Sequence, residues 1–368
     1  MKNISDKNIS GVLDTLRQTK QITPVAFSGI GSFASQVILH INAGLDEAYG
    51  EIAPHLPVAL RAIDSAQATK DLTVTIPGSP PRPAPPGVVQ TYRDASVPAL
   101  RAQAERAKGT RALAEKLKLL PPMETLADGC CQKPAFGEAL YLANLQKARE
   151  SIVSSILCTR DANRIAACEN AGFRVKPTRQ VVVVRYVNAA GSTGCGAEVV
   201  DAMMTKYEAA QRGIGVVNHL IMLLPSAGSS VNPQAARENA GKLLIETAMA
   251  VEFPARVVCH SFDGQTFRFS GAPIYDSISV VGVTTEFMAA SNRSELAARL
   301  ALLGMAFIAT PLLAETEQHF ADSKPAQSNR RHGLPVFTRR GFVRCFVPRE
   351  RNLQIGKAAA TAHLTRNL

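Results

Sequence analysis

Apolar residues along the chain form two kinds of run that alternate. A short β-branched run at 180–187, QVVVVRYV, is typical of a strand buried on both faces of a parallel sheet. Longer segments such as 135–157 carry apolar residues at helical spacing. Because strand and helix alternate from Thr23 onward, the pattern predicts an α/β fold, an open and mostly parallel Rossmann-like sheet with helices on both faces.

The same patterns give bounds for the elements. Strands are predicted at 23–28, 180–187, 216–224, 256–260 and 277–281. Helices are predicted at 33–48, 95–120, 135–157, 232–251 and 295–313, and from a glycine loop near 191 to about 212. The last helix, 295–313, is long and apolar enough to serve as a central one.

Two features divide the chain. The segment 76–88, IPGSPPRPAPPGV, holds too many prolines for a helix or a central strand and is predicted to be an exposed insertion. Residues 1–313 are expected to form one nucleotide-binding domain around it. Residues 314–368 are expected to form a basic C-terminal segment that resembles only the beginning of a second domain.

Charge is concentrated at the end of the chain. The formal net charge is +11, and residues 324–368 hold most of the excess, with one acid, Glu350. Such a segment suits an acidic protein partner or an anionic surface. The chain has no Trp, and Phe337, Phe342 and Phe346 fit a strand as well as a base-stacking platform, so nucleic acid is the less favoured partner.

Cysteines and the N-terminus bear on the compartment. Seven cysteines are scattered without C-x-x-C pairs, which indicates neither a disulfide framework nor a zinc site. His40, His219, His260 and His332 show no ligand spacing, and no metal site is predicted from them. The N-terminus is polar and charged, and no apolar run is long enough to span a membrane, so a cytoplasmic protein is expected.

Two glycine-rich turns carry the candidate chemistry. Gly29-Ile30-Gly31-Ser32 follows the first strand, and residues 191–196, GSTGCG, follow the run at 180–187. Glycines permit the backbone conformations and close approach that let several N–H groups converge on a phosphate, and a following helix adds its dipole. The hydroxyls of Ser32, Ser192 and Thr193 add donors. Together the two turns could hold one polyphosphate.

Other nucleotide motifs fit less well. The third glycine of a dinucleotide fingerprint would fall on Ala34, and no clear acidic residue ends a second strand about twenty residues further on, which disfavours NAD. The second turn lacks the lysine of a P-loop, which disfavours a Walker-type ATPase. Two tight strand-to-helix turns without any ligand remain an alternative.

The order of these features resembles the tubulin/FtsZ superfamily. In that family a glycine loop follows the first strand and a GGGTGTG loop follows the fourth; residues 191–197, GSTGCGA, are similar to the latter, with Ser192 and Cys195 substituted. The strand ending in Pro225, the Asn-rich start of the helix at 232–246 and the segment 272–276, APIYD, are most similar to divergent bacterial tubulin-like proteins. The resemblance covers most of residues 23–310.

The resemblance implies a ligand, partners and a catalytic residue. It implies GTP or GDP with Mg²⁺, held by the two turns, with Gln36 at a base- or phosphate-contacting position and Asn292 where the guanine is read. It implies head-to-tail self-association into filaments. Residues 319–322, HFAD, lie after the last helix and resemble the loop that completes GTP hydrolysis between subunits, with Asp322 at the place of the catalytic acid. The nucleotide-binding residues implied in all are Gly29, Gly31, Ser32, Gln36, Gly191, Ser192, Thr193, Gly194, Cys195, Gly196 and Asn292.

Departures from the family keep other functions open. Ser192 and Cys195 alter the second loop, Glu138 stands near a position where relatives often have Gly-Arg, and His319 replaces an acid. A carboxylate suits the orientation of an attacking water, yet Glu315 and Glu317 are nearby alternatives to Asp322. A degenerate tubulin-like scaffold with weak or no nucleotide hydrolysis is therefore the main alternative. A nicotinamide-dependent oxidoreductase, supported by Gly29-Ile30-Gly31 and the α/β alternation, is the second.

Overall fold

A computed structural model describes most of the chain between Lys20 and Ala309. The described residues are 14, 16–18, 20–65, 73–74, 82–83, 88–92, 96–120, 130, 132–176, 178–225, 232–283 and 290–309. In this part of the chain, no helix has the length and apolar character needed to cross a membrane.

A parallel sheet of six strands forms the centre of the fold, and it confirms the predicted α/β class. Its strands are β2 (Val25–Ile30), β3 (Val58–Asp64), β6 (Val89–Thr91), β8 (Gln180–Asn188), β9 (Gly215–Pro225) and β12 (Ser277–Val283). Their order across the sheet is β12-β9-β8-β2-β3-β6. Every neighbouring pair is parallel, so all C-terminal strand ends lie at one edge.

Short strands pair outside this sheet. They are β1 (Gln21–Ile22) with β7 (Arg174–Val175), β4 (Thr73–Val74) with β5 (Arg82–Pro83), and β10 (Val258–His260) with β11 (Thr266–Arg268). Strand β5 lies inside the Pro-rich segment 76–88, most of which lies outside the described residues.

Nine α-helices lie wholly within the described residues between Ser32 and Met305. They are α1 (Ser32–Tyr49), α2 (Val97–Arg106), α3 (Arg111–Lys118), α4 (Pro134–Ala143), α5 (Leu145–Cys158), α6 (Ala162–Asn170), α7 (Ser192–Ala210), α8 (Pro233–Glu252) and α9 (Ala290–Met305). Helices α1 and α9 pack together on one face of the sheet, and α4, α5, α7 and α8 cover the other. The central strands are therefore buried on both faces.

Alternate residues of β8 show this directly. Val183 belongs to the apolar core under α7, while Val184 belongs to the core under α1 and α9. Both side chains are fully or almost fully buried. The prediction that the run at 180–187 is a strand buried on both faces is confirmed.

Two predicted helices are each broken into two. The segment 135–157 breaks at Asn144, whose side-chain amide donates to the carbonyl of Leu140 and whose φ of −111° leaves the helical range. The segment 95–120 breaks around Gly109, which adopts a φ of +92°. In both cases apolar spacing continues across the break, so the pattern alone merged two helices.

The last helix is shorter than predicted. Helix α9 ends at Met305 rather than Leu313, because residues 306–309 turn back onto the start of the chain. The amide of Thr23 donates to the carbonyl of Ile308 at 2.8 Å, and Ile22 and Ala309 form an antiparallel bridge. The strand predicted at 256–260 is also shorter, since residues 254–256 form a 3₁₀ turn.

Candidate functional site

The candidate site lies where the strand order reverses. From β2 the chain moves outward to β3 and β6, and then returns to β8 on the other side of β2 before moving on to β9 and β12. In open parallel sheets, ligands bind in the crevice at the C-terminal ends of the two strands where this reversal occurs. Here those ends carry Gly31 and Gly191, so the sheet topology brings the two glycine turns together.

The first turn joins β2 to α1 through a glycine in a conformation that other residues rarely adopt. Gly31 has a φ of +94°, a conformation that residues with a Cβ rarely adopt. Its amide donates to the carbonyl of Ile63 on β3, and its carbonyl accepts from Ser35. Helix α1 begins at Ser32 with no side-chain cap. Its first N–H groups therefore point out of the helix without a capping side chain.

The second turn opens a helix, as predicted, and most of its residues form the first turn of α7 itself. Helix α7 begins at Ser192, Gly191 precedes it as the N-cap, and the amide of Cys195 already donates to the carbonyl of Gly191 at 2.9 Å. No side chain caps this helix either. The amides of Ser192, Thr193 and Gly194 come before that first helical hydrogen bond, where N–H groups have no partner within the helix.

The two helix starts touch. A Cβ built on Gly31 would lie 3.6 Å from the amide nitrogen of Gly194, and one built on Gly194 would lie 2.9 Å from the carbonyl oxygen of Ile30. Two uncapped helix N-termini on neighbouring strands thus converge at the switch point. Each is a site that favours an anion, because its N–H groups and dipole are directed at the same place.

Several glycines of the motif serve packing. A Cβ on Gly196 would meet the carbonyl of Pro134 at 2.2 Å, and a Cβ on Gly137 would meet the carbonyl of Ser192 at 2.5 Å. These contacts let α4 cross the start of α7 at backbone distance. Likewise, a Cβ on Gly29 would meet the carbonyl of Ala34 at 2.7 Å. The glycines at these positions are therefore required by the close approach of backbone segments, whether or not a ligand also needs them.

Hydroxyl groups link the second turn to the end of β3. The Oγ1 atom of Thr193 lies 2.7 Å from Oγ of Ser65, and it donates to Sγ of Cys130 at 3.8 Å. The amide of Ser65 donates to the carboxylate of Asp64 at 2.8 Å. Asp64, Ser65 and Thr193 thus form a connected group of oxygen atoms beside the two helix starts. Hard oxygen donors of this kind are the ligands that Mg²⁺ takes in proteins.

Cys195 points away from the crevice. Its thiol donates to the carbonyl of Asn239 on α8 at 3.2 Å, and burial raises the pKa of the thiol to about 12. Any contact of Cys195 with a ligand would therefore involve its backbone. Asn239 also donates to the carbonyls of Ala190 and Gln132, which ties α8 to both loops at this edge.

A second cluster lies on the α1 and α9 side of the crevice. The guanidinium of Arg293 lies 5.7 Å from the centre of the Phe33 ring, and burial lowers the pKa of Arg293 against the opposing charge of Asp64. The Oε1 atom of Gln36 and the Nε atom of Arg293 are buried without a hydrogen-bond partner in the described part of the chain. Asn292 stands in the first turn of α9, and its side chain lies outside what the structure describes.

Sequence reasoning missed Asp64, Ser65 and Arg293. The strand β3 does end in an acidic residue, Asp64, but further along the chain than the roughly twenty residues typical of a dinucleotide fingerprint. The polar pair Asp64-Ser65 at the end of a buried strand was the available signal. Arg293 follows Asn292 immediately, and only the packing of α9 against α1 brings it over Phe33.

Glu138 lies on α4, near the side chains of Lys116 and Lys242. The charges of Lys116 and Lys242 oppose the effect of burial, which raises the pKa of the Glu138 carboxyl. Of the loop before α4, Gly129 and Cys131 lie outside the described residues. Asp322 and residues 310–368 lie outside them as well.

The histidines pack against neighbouring hydroxyls. His40 lies 3.2 Å from Ser294, and burial lowers the pKa of its imidazole to about 4. His219 lies 2.6 Å from Ser277 and its ring packs on Phe307. His40 and His219 are therefore packed among neighbouring side chains. Among the described residues, no three His, Cys, Asp or Glu side chains group as a metal site would require.

Comparison with known proteins gives structural neighbours. No family model matches the chain, and no curated protein matches its sequence. Similar solved structures include a GTPγS-bound protofilament of CetZ2 from Haloferax volcanii (13% identity, TM-score 0.36), TubZ of Clostridium botulinum phage c-st (11%, 0.33) and an empty FtsZ dimer from M. jannaschii (13%, 0.35).

The likeness covers 77%, 77% and 81% of this chain, and 58%, 58% and 57% of those chains, respectively. The chain therefore spans less than three fifths of the length of each. The ligands and assemblies of those proteins are properties of those proteins and not of this chain. The finer resemblance to a divergent bacterial group stays a prediction from the sequence.

A buried ionic network fixes α7 on the sheet below the crevice. Arg61 on β3 and Arg185 on β8 lie beside Ser28 of β2 in the strand register. Both guanidinium groups donate to Asp201 of α7, at distances between 2.5 and 2.8 Å. Arg185 also donates to Glu198 at 2.6 Å. All four charged side chains are at most 4% exposed.

The network holds the carboxylate of Asp201 in its charged form. Burial opposes ionisation of Asp201, but the charges and hydrogen bonds of Arg61 and Arg185 outweigh it and hold the pKa of Asp201 well below its usual range. Tyr141 donates a further hydrogen bond to the same carboxylate at 2.8 Å. The sequence showed one arginine inside each of two apolar strands, and this was the signal for the network.

Proposed function

We propose that the chain is a tubulin/FtsZ-like protein that binds GTP or GDP with Mg²⁺ in the crevice between the ends of β2 and β8. The observation that carries the proposal is the convergence of two uncapped helix N-termini, at Ser32 and Ser192, on the switch point of a parallel sheet. One anion-binding helix start is common, whereas two in contact suit a chain of phosphates. The resemblance of residues 191–197 to the family's second loop supports the choice of ligand.

The phosphate groups would be held by backbone amides. Ser32 and residues 192–194 would supply N–H donors, and Gly31 lets the backbone approach the ligand. Mg²⁺ would be held by the oxygen group around Asp64, whose hard donors suit it. Bound Mg²⁺ would neutralise part of the phosphate charge.

The base would lie on the α1 and α9 side. Gln36 offers a buried amide oxygen and Arg293 a buried Nε donor, both without partners in the described residues. The exocyclic amine and the carbonyl of guanine complement such an acceptor and donor. Asn292 remains the residue that the family resemblance implies for guanine.

The first prediction is selective binding of GTP. Purified protein with Mg²⁺ should bind GTP at least about tenfold more tightly than ATP, a difference of about 1.4 kcal/mol. Isothermal titration calorimetry with GTP, ATP and NAD measures it. Preference for NAD would favour the oxidoreductase, for which the acidic end of β3 at Asp64 is a further supporting observation beside Gly29-Ile30-Gly31. Absence of binding to all three would favour the scaffold.

The scaffold alternative has a structural observation in its favour. The hydroxyls of Thr193 and Ser65 lie within hydrogen-bond distance of each other, and both residues are buried, at 6% and 1% exposure. A ligand that needs these hydroxyls must therefore replace this contact. A chain that never binds nucleotide would keep it.

The second prediction concerns hydrolysis. If subunits associate head to tail, Asp322 of one would act on the nucleotide of the next, and such a contact does not close on itself. GTP turnover per subunit should then rise steeply with protein concentration, and Asp322→Ala should bind GTP normally while turning it over at least about tenfold more slowly. Phosphate release measured across a concentration series tests this. Glu315→Ala is measured in parallel, because a loss of turnover there and not in Asp322→Ala would assign the role to Glu315. Turnover independent of concentration would remove Asp322 from the mechanism.

A further inference from the structure

Asn239 of α8 joins two backbone segments that border the crevice. Its side-chain amide donates to the carbonyl of Gln132 at 3.2 Å and to the carbonyl of Ala190 at 3.1 Å. Gln132 belongs to the segment that leads into α4, and Ala190 directly precedes the second glycine turn. Asn239 is 5% exposed, so water does not compete freely for these bonds. One buried side chain therefore links two segments that lie far apart in the sequence.

The segment at Gln132 is held in an unfavourable backbone conformation. Gln132 has a φ of +57°, and among the described residues it is the one residue other than glycine with a positive φ. A long side chain disfavours that conformation, which persists only where surrounding contacts hold it. The carbonyl of Gln132 accepts from Asn239, and the amide of Lys133 closes the turn by donating to the carbonyl of Cys130 at 2.8 Å. The bond from Asn239 is thus one of the contacts that hold the segment in place.

Helix α7 holds Asn239 in return. The thiol of Cys195 donates to the backbone carbonyl of Asn239 at 3.2 Å. One turn further along α8, the ammonium of Lys242 donates to the carbonyl of Cys195 at 3.1 Å. These bonds seat α8 on the first turn of α7 and fix the position of the Asn239 amide beside the crevice. The cysteine that departs from the family's second loop therefore has a definite partner in this chain.

Both linked segments reach the crevice itself. Cys130, in the same turn as Gln132, accepts a hydrogen bond from the hydroxyl of Thr193 at 3.8 Å. Gly191, next to Ala190, is the N-cap of α7, whose first amides favour an anion. A shift of either segment would therefore move the hydroxyl or the amides that face the ligand.

We propose that Asn239 is a positioning residue, which holds the segment before α4 against the turn before α7 and so sets the width of the crevice for its nucleotide. The inference rests on the proposed function for the identity of the ligand, whereas the hydrogen bonds that carry it are present without one. Asn239 acts through the carbonyls of Gln132 and Ala190. Its removal loosens both segments and thereby lowers the affinity for nucleotide, while the sheet keeps its structure.

Hydrogen exchange of the nucleotide-free chain tests the position of the two segments directly. Asn239→Leu nearly preserves the side-chain volume and removes both donors, so the two carbonyls lose this partner. The amides of Lys133, Ala190 and Gly191 close the two turns, and in this variant they should exchange at least about tenfold faster. Asn144→Leu is the matched control, because Asn144 is 7% exposed and also donates to a backbone carbonyl. It should leave the exchange of those amides unchanged.

Calorimetry with GTP over a pH series separates positioning from a general structural role. In Asn239→Asp the carboxyl can only accept hydrogen bonds when ionised, but it donates one when protonated. Burial favours the protonated form, as do two acids among the ionisable groups around this position, which are Lys242, Glu246, Glu138 and the thiol of Cys195. The affinity of Asn239→Asp for GTP should be at least about tenfold below that of the wild type near neutral pH and should recover as the pH falls towards about 5. Asn239→Leu should not recover, and the wild type at each pH accounts for the titration of GTP itself.

The two experiments separate this proposal from the proposed function. Exchange in Asn239→Leu that matches the wild type would overturn the role of Asn239, whether or not the chain binds nucleotide. Faster exchange in a chain that binds no GTP would support that role and contradict the proposed function alone. Equal affinity for GTP in the wild type and both variants would also overturn the proposal. Thermal melts show that each variant is folded, and Asn239→Leu, which adds no charge, decides the matter where Asn239→Asp does not fold at neutral pH.

Discussion

Asp201→Ala is expected to lower the free energy of unfolding by about 3–5 kcal/mol, the largest effect of any single substitution considered for this chain. Asp201 is the only carboxylate that contacts both Arg61 and Arg185 among the described residues. Its removal leaves the buried guanidinium groups of Arg61 and Arg185 with one carboxylate fewer to balance their charges. An unpaired buried charge costs far more than the pair contributes, so the loss should exceed that of an ordinary ion pair.

Urea unfolding at neutral pH measures this loss. Asp263→Ala is the matched control, because the same substitution removes an exposed carboxylate that accepts hydrogen bonds within its own turn. The control should change the free energy of unfolding by no more than about 0.5 kcal/mol. Equal losses in the two variants would show that the network does not hold α7 on the sheet.

The same network predicts a pH dependence for the wild-type chain. The pKa of Asp201 lies below its unfolded value in the folded chain. Its contribution to stability is therefore complete above the unfolded pKa and is lost as the pH falls through the folded pKa. The difference in stability between the wild type and Asp201→Ala should accordingly shrink in strong acid.

Gly194→Ala is expected to weaken nucleotide binding by about a hundredfold, or about 2.7 kcal/mol. The added Cβ would lie 2.6 Å from the Cγ2 atom of Val187 and 2.9 Å from the carbonyl oxygen of Ile30. Since neither distance is tolerable, the start of α7 must shift away from β2. The amides of Ser192 and Thr193 would then no longer converge with those of α1.

The physical reason why a side chain at Gly194 is excluded differs from the one that the glycine-rich turn suggests. A positive φ at Gly194 was the expectation from sequence, but Gly194 lies inside α7 and is absent from the positive-φ glycines of the described residues, which include Gly31. Close approach, rather than an unusual φ, excludes a side chain here.

Calorimetry with GTP, together with a thermal melt, separates lost binding from lost fold. Gly241→Ala is the matched control, because a Cβ there meets nothing within 4 Å and Gly241 lies inside α8, far along the chain from both turns. It should leave affinity unchanged and raise stability slightly, since alanine restricts the unfolded chain. Unchanged affinity in Gly194→Ala would show that the nucleotide does not use the start of α7.

The sequence by itself determined the fold class and the places of the two glycine-rich turns. Residues 180–187 indicated a strand buried on both faces, because a β-branched run without alternation is typical of such a strand. Gly31 marked the turn after β2, because only glycine adopts its φ without strain. Local patterns suffice for such features, since they depend on neighbouring residues alone.

Tertiary structure decided everything that joins distant segments. Helix α9 ended at Met305 because the residues that follow it turn back and Ala309 pairs with Ile22, far away in the chain. Asp64, Thr193 and Arg293 come together only through the strand order and helix packing. Spacing in sequence cannot encode these contacts, because their energies depend on which strands and helices become neighbours after the chain has folded.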